Sequence, residues 1–172
     1  EVISVQYAWI AQLGLNLSFR LDGLSYLFSL LILGIGLLVI LYARYYLSEQ
    51  ERVARFFTCL LLFMGSMLGL VLAGNLLLML MFWELTSLSS FLLIGFWSHQ
   101  TAARQGARMA LAVTGGGGLA LLAGILVIGH VVGSYELTDV LAAGDVLRAH
   151  SLYPVALVLV LLGVFTKSAQ FP

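Results

Sequence analysis

Two ionisable side chains stand inside long apolar runs of this chain. Glu84 sits in Met81-Phe82-Trp83-Glu84-Leu85-Thr86-Ser87-Leu88-Ser89-Ser90, and Lys167 in Gly163-Val164-Phe165-Thr166-Lys167-Ser168-Ala169-Gln170. A charge at hydrocarbon depth costs about 2.5–3.5 kcal/mol or more unless it is paired, neutralised or hydrated. Groups of this kind bind, release and hand on protons, so their types point to charge translocation inside a membrane. The bland alternatives are a neutral Glu84 acting as a hydrogen-bonding link between helices, and a Lys167 that snorkels its ammonium to the interface. His130, an imidazole, is a candidate relay, or simply a solvated side chain near an interface. Ser87 and Thr166 are candidate pathway lining beside the two charges. Thr86, Ser89 and Ser90 extend the hydroxyl cluster, which serves packing or a wet wall equally well.

Other chemistries lack their residues. The single cysteine, Cys59, lies in an apolar run and excludes an internal disulfide or a cysteine metal cluster. There is no G-x-S-x-G, no H-E-x-x-H, no phosphate-binding glycine loop and no haem-attachment motif, so no cofactor and no metal are expected. Eight basic residues balance eight acidic ones, which gives no sign of a nucleic-acid partner. With 62% hydrophobic and 9% charged residues and a mean hydropathy of +1.07, the solvent of this chain is lipid.

The elements that must carry Glu84 and Lys167 follow from bilayer thickness. Crossing about 30 Å of hydrocarbon takes about 20 helical residues, and stretches at about 24–45, 56–73, 76–97, 109–132 and 153–172 qualify. Backbone polar groups in hydrocarbon must be satisfied within their own segment, so these runs are helices. The fold class is therefore an all-α polytopic transmembrane bundle of about five spans. Residues 1–23 form an extracytoplasmic surface segment or short hairpin, because Leu15, Leu17, Phe19 and Leu21 alternate with Asn16, Ser18, Arg20 and Asp22. Asp22 and Ser25 are start signals for the first span, and Arg20 and Asp22 are expected at the interface. Residues 134–152 are expected as an interfacial segment with a short helix capped near Thr138 and Asp139.

Arg44, Arg52, Arg55, Arg104 and Arg108 flank one set of loops, and Arg20 and Arg148 the other. That bias puts loops 46–55 and 98–108 in the cytoplasm, with Arg108 a topology-setting charge or a partner for a neighbouring subunit. Glu84 is then about 13 Å into its helix and Lys167 about 20 Å into its own, at about 1.5 Å per residue. Both helices run outside to inside, so the two charges lie at comparable depth and meet directly or through water. Pro172 removes a backbone donor and should break the last helix just beyond Lys167, the pattern of unwound backbone beside a hydrated cavity. Gly65 and Gly69 form a small-xxx-small pair, and Gly115 to Gly118 form a run that goes beyond ordinary close packing and can admit a bulge or water.

With these residues placed, the chain resembles the antiporter-like membrane subunits shared by respiratory complex I and the multisubunit Na+/H+ (Mrp-type) antiporters. Phe82-Trp83-Glu84-Leu85-Thr86-Ser87-Leu88-Ser89-Ser90-Phe91-Leu92-Leu93-Ile94-Gly95-Phe96-Trp97 resembles the glutamate-bearing fifth helix of that family. Thr166-Lys167-Ser168-Ala169-Gln170-Phe171-Pro172 resembles its lysine-bearing, broken seventh helix. The resemblance implies that Lys167 is the lysine of a first proton half-channel and Glu84 the glutamate that modulates it. Val113-Thr114-Gly115-Gly116-Gly117-Gly118-Leu119-Ala120 is similar to the large A-type polypeptide of the Mrp antiporters, where complex I homologues tend to carry a charge.

The expectation is a fragment of such a polypeptide, not an enzyme, carrying the Glu/Lys pair of one half-channel of a Na+ or other monovalent cation/proton antiporter. Implied partners are other membrane subunits, protons, Na+ and the lipid bilayer, with a multi-pass place in the inner (plasma) membrane. The second and exit half-channel of the family is expected outside this sequence. The alternatives are a proton-pumping subunit of complex I or a membrane hydrogenase, an inert scaffold in which Glu84 and Lys167 are a structural pair, and, more remotely, an intramembrane hydrolase.

Overall fold

The computed structural model describes residues 2–48 and 51–170. Strands β1 (Ile3–Ile10) and β2 (Leu15–Leu21) form an antiparallel hairpin, paired from Ile3 with Leu21 to Ile10 with Leu15 with an irregularity between Ala8 and Ile10. A single 3-10 turn, Ala11–Leu13, joins the strands and ends at Gly14, whose φ of 66° is in the left-handed region. Four long helices follow: α1 (Gly23–Tyr46), α2 (Val53–Leu72), α3 (Leu76–Ile94) and α4 (Thr101–Val132). Two short ones, α5 (Leu137–Ala142) and α6 (Gly144–Ala149), lead to α7 (Tyr153–Lys167). The four long helices are long and apolar enough to cross a membrane, and α7 is apolar but shorter.

Local chemistry explains the boundaries. Asp22 Oδ1 accepts from Ser25 N at 2.9 Å while Ser25 Oγ accepts from Asp22 N at 2.7 Å, a reciprocal capping box that starts α1. Asn75 caps α3 by accepting from Leu77 N and Leu78 N at 3.0 and 3.3 Å. The fourth span begins at Thr101, eight residues before the expected start at Met109. Ala102, Ala103, Gln105 and Ala107 favour helix, so the polar stretch with Arg104 and Arg108 extends the apolar part instead of forming a loop. The third span ends at Ile94, short of the expected Trp97. The segment expected to hold one short helix holds two, and Thr138 and Asp139 lie inside the first turn of α5 rather than capping it. Asp139 accepts from Ser134 Oγ at 2.6 Å.

Helix α7 leaves the helical path directly after Lys167. Ser168 is its C-cap, Ala169 has a φ of 54°, and Gln170 N donates to Phe165 O at 3.0 Å, the longer bond of a Schellman closure. Pro172, expected to cause the break, lies outside the described residues. Fifteen residues rise only about 22 Å, so α7 stops short of a full crossing and carries its cation in the last turn, where the helix dipole favours one.

The helices pack in the order α1, α2, α3, α4, α7. Glycines set the close approaches: Gly36 against Met64, Gly69 against Phe82, and Gly124 against Val160. The tightest apolar centre joins Leu76 and Leu80 of α3 to Leu121 and Ile125 of α4, with Val160 of α7 against them. At the hairpin end three loops are sewn together. Gly74 N donates to Ser18 O at 2.7 Å, Leu76 N to Tyr135 O at 2.8 Å and Leu137 N to Gly74 O at 2.8 Å. Asn75, 1% exposed, donates to Gly14 O at 2.9 Å and to Glu136 Oε1 at 2.8 Å, and Asn16 donates to the same Glu136 oxygen at 2.9 Å.

Candidate functional site

One face of α3 carries Trp83, Thr86, Ser87 and Ser90, spaced i, i+3, i+4, i+7 so that they stack along one side of the helix. Lys167 reaches this face from the end of α7. Its Nζ donates to Thr86 Oγ1 and to Ser87 Oγ at 2.7 Å each, and to Trp83 O at 3.3 Å. Both hydroxyls in turn donate to the Trp83 carbonyl, at 2.7 and 3.3 Å, so the three acceptors form one polar cage. The ammonium also lies 5.4 Å from the centroid of the Trp83 ring, within cation–π reach. All three ammonium hydrogens have acceptors of the protein, which is how a cation survives at this depth.

Glu84 points elsewhere. One residue along an α-helix turns the side chain by about 100°, and that rotation carries the carboxylate from the Lys167 face towards α4. It lies against Gly118, where a Cβ would overlap Oε1. That oxygen is buried and has no protein donor among the described residues. The ion pairs among the described residues are Arg20–Asp22 and Arg148–Asp145. The direct meeting of Glu84 and Lys167 allowed by their equal depth is therefore absent: the lysine is held by hydroxyls, and the carboxylate lies against a glycine without a donor among the described residues.

A cavity of about 340 Å³ adjoins the ammonium. Thr86, Ser87 and Ser90 form its α3 wall, Ala110 and Thr114 its α4 wall, Phe63 and Met67 its α2 wall, and Lys167 its α7 wall. Hydroxyls beside a cation in a space of this size suit several water molecules. The cavity lies on the side of Lys167 towards the N-terminal half of α4, and so towards the end opposite the hairpin.

Ser87 joins the cage. Thr166 does not: its Oγ1 donates to Gly163 O at 2.8 Å and faces Gly117 across the α4–α7 seam. His130 is exposed near the far end of α4. It is 13 residues (130 − 117) beyond the level of Thr166, or about 20 Å along the helix. Thr86 and the Trp83 carbonyl complete the cage, with Thr114 and Gly118 across on α4; the sequence offers Thr86 only as packing or wet wall, and Gly118 only as one of a glycine run. Period 3.6 from Trp83 through Ser90 is the available signal for the first two. Nothing in the sequence marks which glycine of four faces the carboxylate.

Comparison with known proteins covers nearly the whole chain. The family described as NADH:quinone oxidoreductase/Mrp antiporter, TM, matches residues 73–172, and the one described as NADH-Ubiquinone oxidoreductase (complex I), chain 5 N-terminus, matches residues 8–57. The chain is 60% identical over 171 residues to a probable K(+)/H(+) antiporter A/B subunit of Rhizobium meliloti (strain 1021), covering 99% of this chain and 17% of that protein. It is 49% identical over 164 residues to the Na(+)/H(+) antiporter A1 subunit of Staphylococcus haemolyticus (strain JCSC1435), covering 95% and 20%. The structure of the Mrp complex from Dietzia sp. DQ12-45-1b superposes with a TM-score of 0.91 at 35% identity, over 99% of this chain and 19% of that one. The chain therefore spans about a fifth of the length of the relatives it matches.

Proposed function

Because this chain belongs to the NADH:quinone oxidoreductase/Mrp antiporter transmembrane family, we propose that it forms part of the large A-type polypeptide of a multisubunit monovalent cation/proton antiporter in the plasma membrane. In this reading it works in transport beside other membrane subunits and holds one proton half-channel. The observation that carries the proposal is the seat of Lys167: an ammonium at the end of a short helix, bonded to Thr86, Ser87 and the Trp83 carbonyl beside a cavity whose walls also carry the Ser90 and Thr114 hydroxyls. The starts of α2 and α4 face the cytoplasm in this reading, and the cavity lies towards that side of Lys167.

A proton reaches Lys167 along the Ser90, Thr114 and Ser87 hydroxyls and the water they hold. The ammonium keeps its three acceptors while charged; when it gives up a proton, one of the hydroxyls turns to donate in its place. Glu84 sits close enough for its charge to be felt through a poorly polarisable wall, and far enough not to lock the lysine in a contact pair. A change of charge on either group alters the field at the other, which is the coupling such a half-channel needs. Sodium is the cation expected, and potassium the one to weigh against it.

The test is cation-driven proton movement in vesicles carrying the full complex, with Na+ and K+ compared. Lys167→Ala and Glu84→Ala should each abolish or strongly reduce exchange with the complex still assembled. Exchange at wild-type rates in both variants would overturn the assignment and leave the scaffold reading. Exchange lost with either cation, but restored by a redox-active partner and quinone, would favour a proton-pumping subunit of the complex I type.

A further inference from the structure

The end of the bundle opposite the hairpin concentrates positive charge that the proton path does not use. Two adjoining cavities of about 300 and 230 Å³ lie there, and Arg55 and Ser98 line both. In the smaller one, Arg55 from the first turn of α2 faces Arg104 and Arg108, which lie i, i+4 on α4. Arg52 and His99 line the larger one. Among the described residues none of these arginines has a carboxylate within 4 Å. The nearest carboxylate on the cavity wall, Glu51, accepts instead from Trp97 Nε1 at 2.7 Å and from Ser48 N at 3.3 Å.

The backbone adds to the same field. Helices α2 and α4 both begin at this end, and neither has a side-chain hydrogen bond at its N-cap, so free N–H groups and two positive dipole ends accompany the guanidiniums. The floor of the smaller cavity is apolar, made by Phe91, Leu92 and Ala107. Trp97 places this level at the membrane interface, where aromatic side chains gather. A basic rim over an apolar floor at headgroup height matches one occupant better than any soluble anion: a phosphodiester whose acyl chain continues down the helices.

We propose that Arg55, Arg104 and Arg108 hold the phosphate of an anionic phospholipid between the start of α2, the end of α3 and the start of α4. Guanidiniums suit the oxygens of a phosphate better than ammonium groups do, and basic pockets between helices on the cytoplasmic side bind anionic headgroups in this way. The bound headgroup, with its single negative charge, offsets part of the repulsion among three like charges and ties the two helices together below the Lys167 cavity. The site stands apart from the proton path, so its failure would leave that reading untouched.

The experiment uses the full complex, delipidated and reconstituted in nanodiscs with phosphatidylglycerol, phosphatidylcholine or phosphatidylcholine plus inorganic phosphate. Native mass spectrometry should find phosphatidylglycerol retained, and its apparent affinity should fall roughly tenfold or more in Arg55→Gln/Arg108→Gln, the scale of two lost charge contacts at a membrane surface. A photoreactive phosphatidylglycerol on the wild-type complex should label the 91–108 peptide, which keeps the proposal testable if the variant assembles poorly. Equal retention of phosphatidylcholine, or no label in that peptide, would overturn it. Displacement of the lipid by millimolar phosphate would also overturn it, by showing a free-anion site.

Discussion

The seat of Lys167 rests on few atoms, so single hydroxyls should matter. Thr86 is fully buried and bridges Nζ to the Trp83 carbonyl. Thr86→Val keeps the shape and removes one of three acceptors, and a hydrogen bond to a charged group is worth about 1.5–3 kcal/mol. Exchange in vesicles should drop about tenfold or more while assembly persists, and Thr86→Val/Ser87→Ala should approach Lys167→Ala. The exposed Leu88, one residue further along, serves as the control, and Leu88→Ala should leave the rate unchanged. Glu84 and Lys167 were legible in the sequence because a charge in an apolar run is conspicuous against its cost. Their separation was not. Equal depth follows from counting residues, but whether two side chains face each other depends on how each helix is rotated about its axis, and packing at Gly117, Gly118 and Gly163 sets that rotation.

At the scale of elements, helix ends and loops carry the polar stitching. Asn75 is the centre of the hairpin-end knot, with its carbonyl oxygen capping α3 and its amide joining Gly14 and Glu136. Asn75→Ala removes a cap worth about 0.5–2 kcal/mol and takes a donor from Gly14 O and from Glu136 Oε1, the latter keeping Asn16. The thermal midpoint of the assembled complex should fall by several degrees, where an exposed change such as Leu141→Ala should leave it in place. The Asp22 cap should show as pH dependence. The Ser25 backbone N–H, chiefly, with the Ser25 hydroxyl and the Arg20 guanidinium holds its carboxyl below the ordinary value of 3.8. A folded value below the unfolded one means that the stabilisation is full above about pH 4 and fades as pH falls through the lower, folded value. Asp22→Asn retains an acceptor for Ser25 N and should flatten that acid limb in thermal melts taken from neutral pH down to about pH 2. The β2 alternation and the Asp22–Ser25 start were legible because each is a local pattern. The α4 start was hidden by Arg104 and Arg108, which mimic a loop, and the Asn75 knot by its partners lying 61 residues away in either direction.

For the whole molecule, the run Gly115 to Gly118 separates two kinds of surface on one helix. A Cβ on Gly117 would overlap Thr166 of α7, and one on Gly118 would overlap Glu84 of α3, whereas Gly115 and Gly116 have open space around theirs. The inner pair holds α3, α4 and α7 at the distance that lets Lys167 reach Thr86 and Ser87; the outer pair faces away, in the same direction as the exposed Leu119. The same substitution should therefore have opposite signs along four consecutive positions. Gly115→Ala/Gly116→Ala adds helix propensity of about 1 kcal/mol per residue and should raise the thermal midpoint with exchange intact. Gly117→Ala and Gly118→Ala each force an overlap in a packed interior, at about 1–3 kcal/mol. Gly118→Ala should displace the Glu84 carboxylate and alter the pH profile of exchange, a change that loss of packing alone would not produce. Gly117→Ala should push α7 outward and lower the rate across all pH values. If Gly115→Ala/Gly116→Ala instead abolishes exchange, the open face of α4 is a contact surface for the remainder of the polypeptide, and the four glycines serve one assembly rather than two.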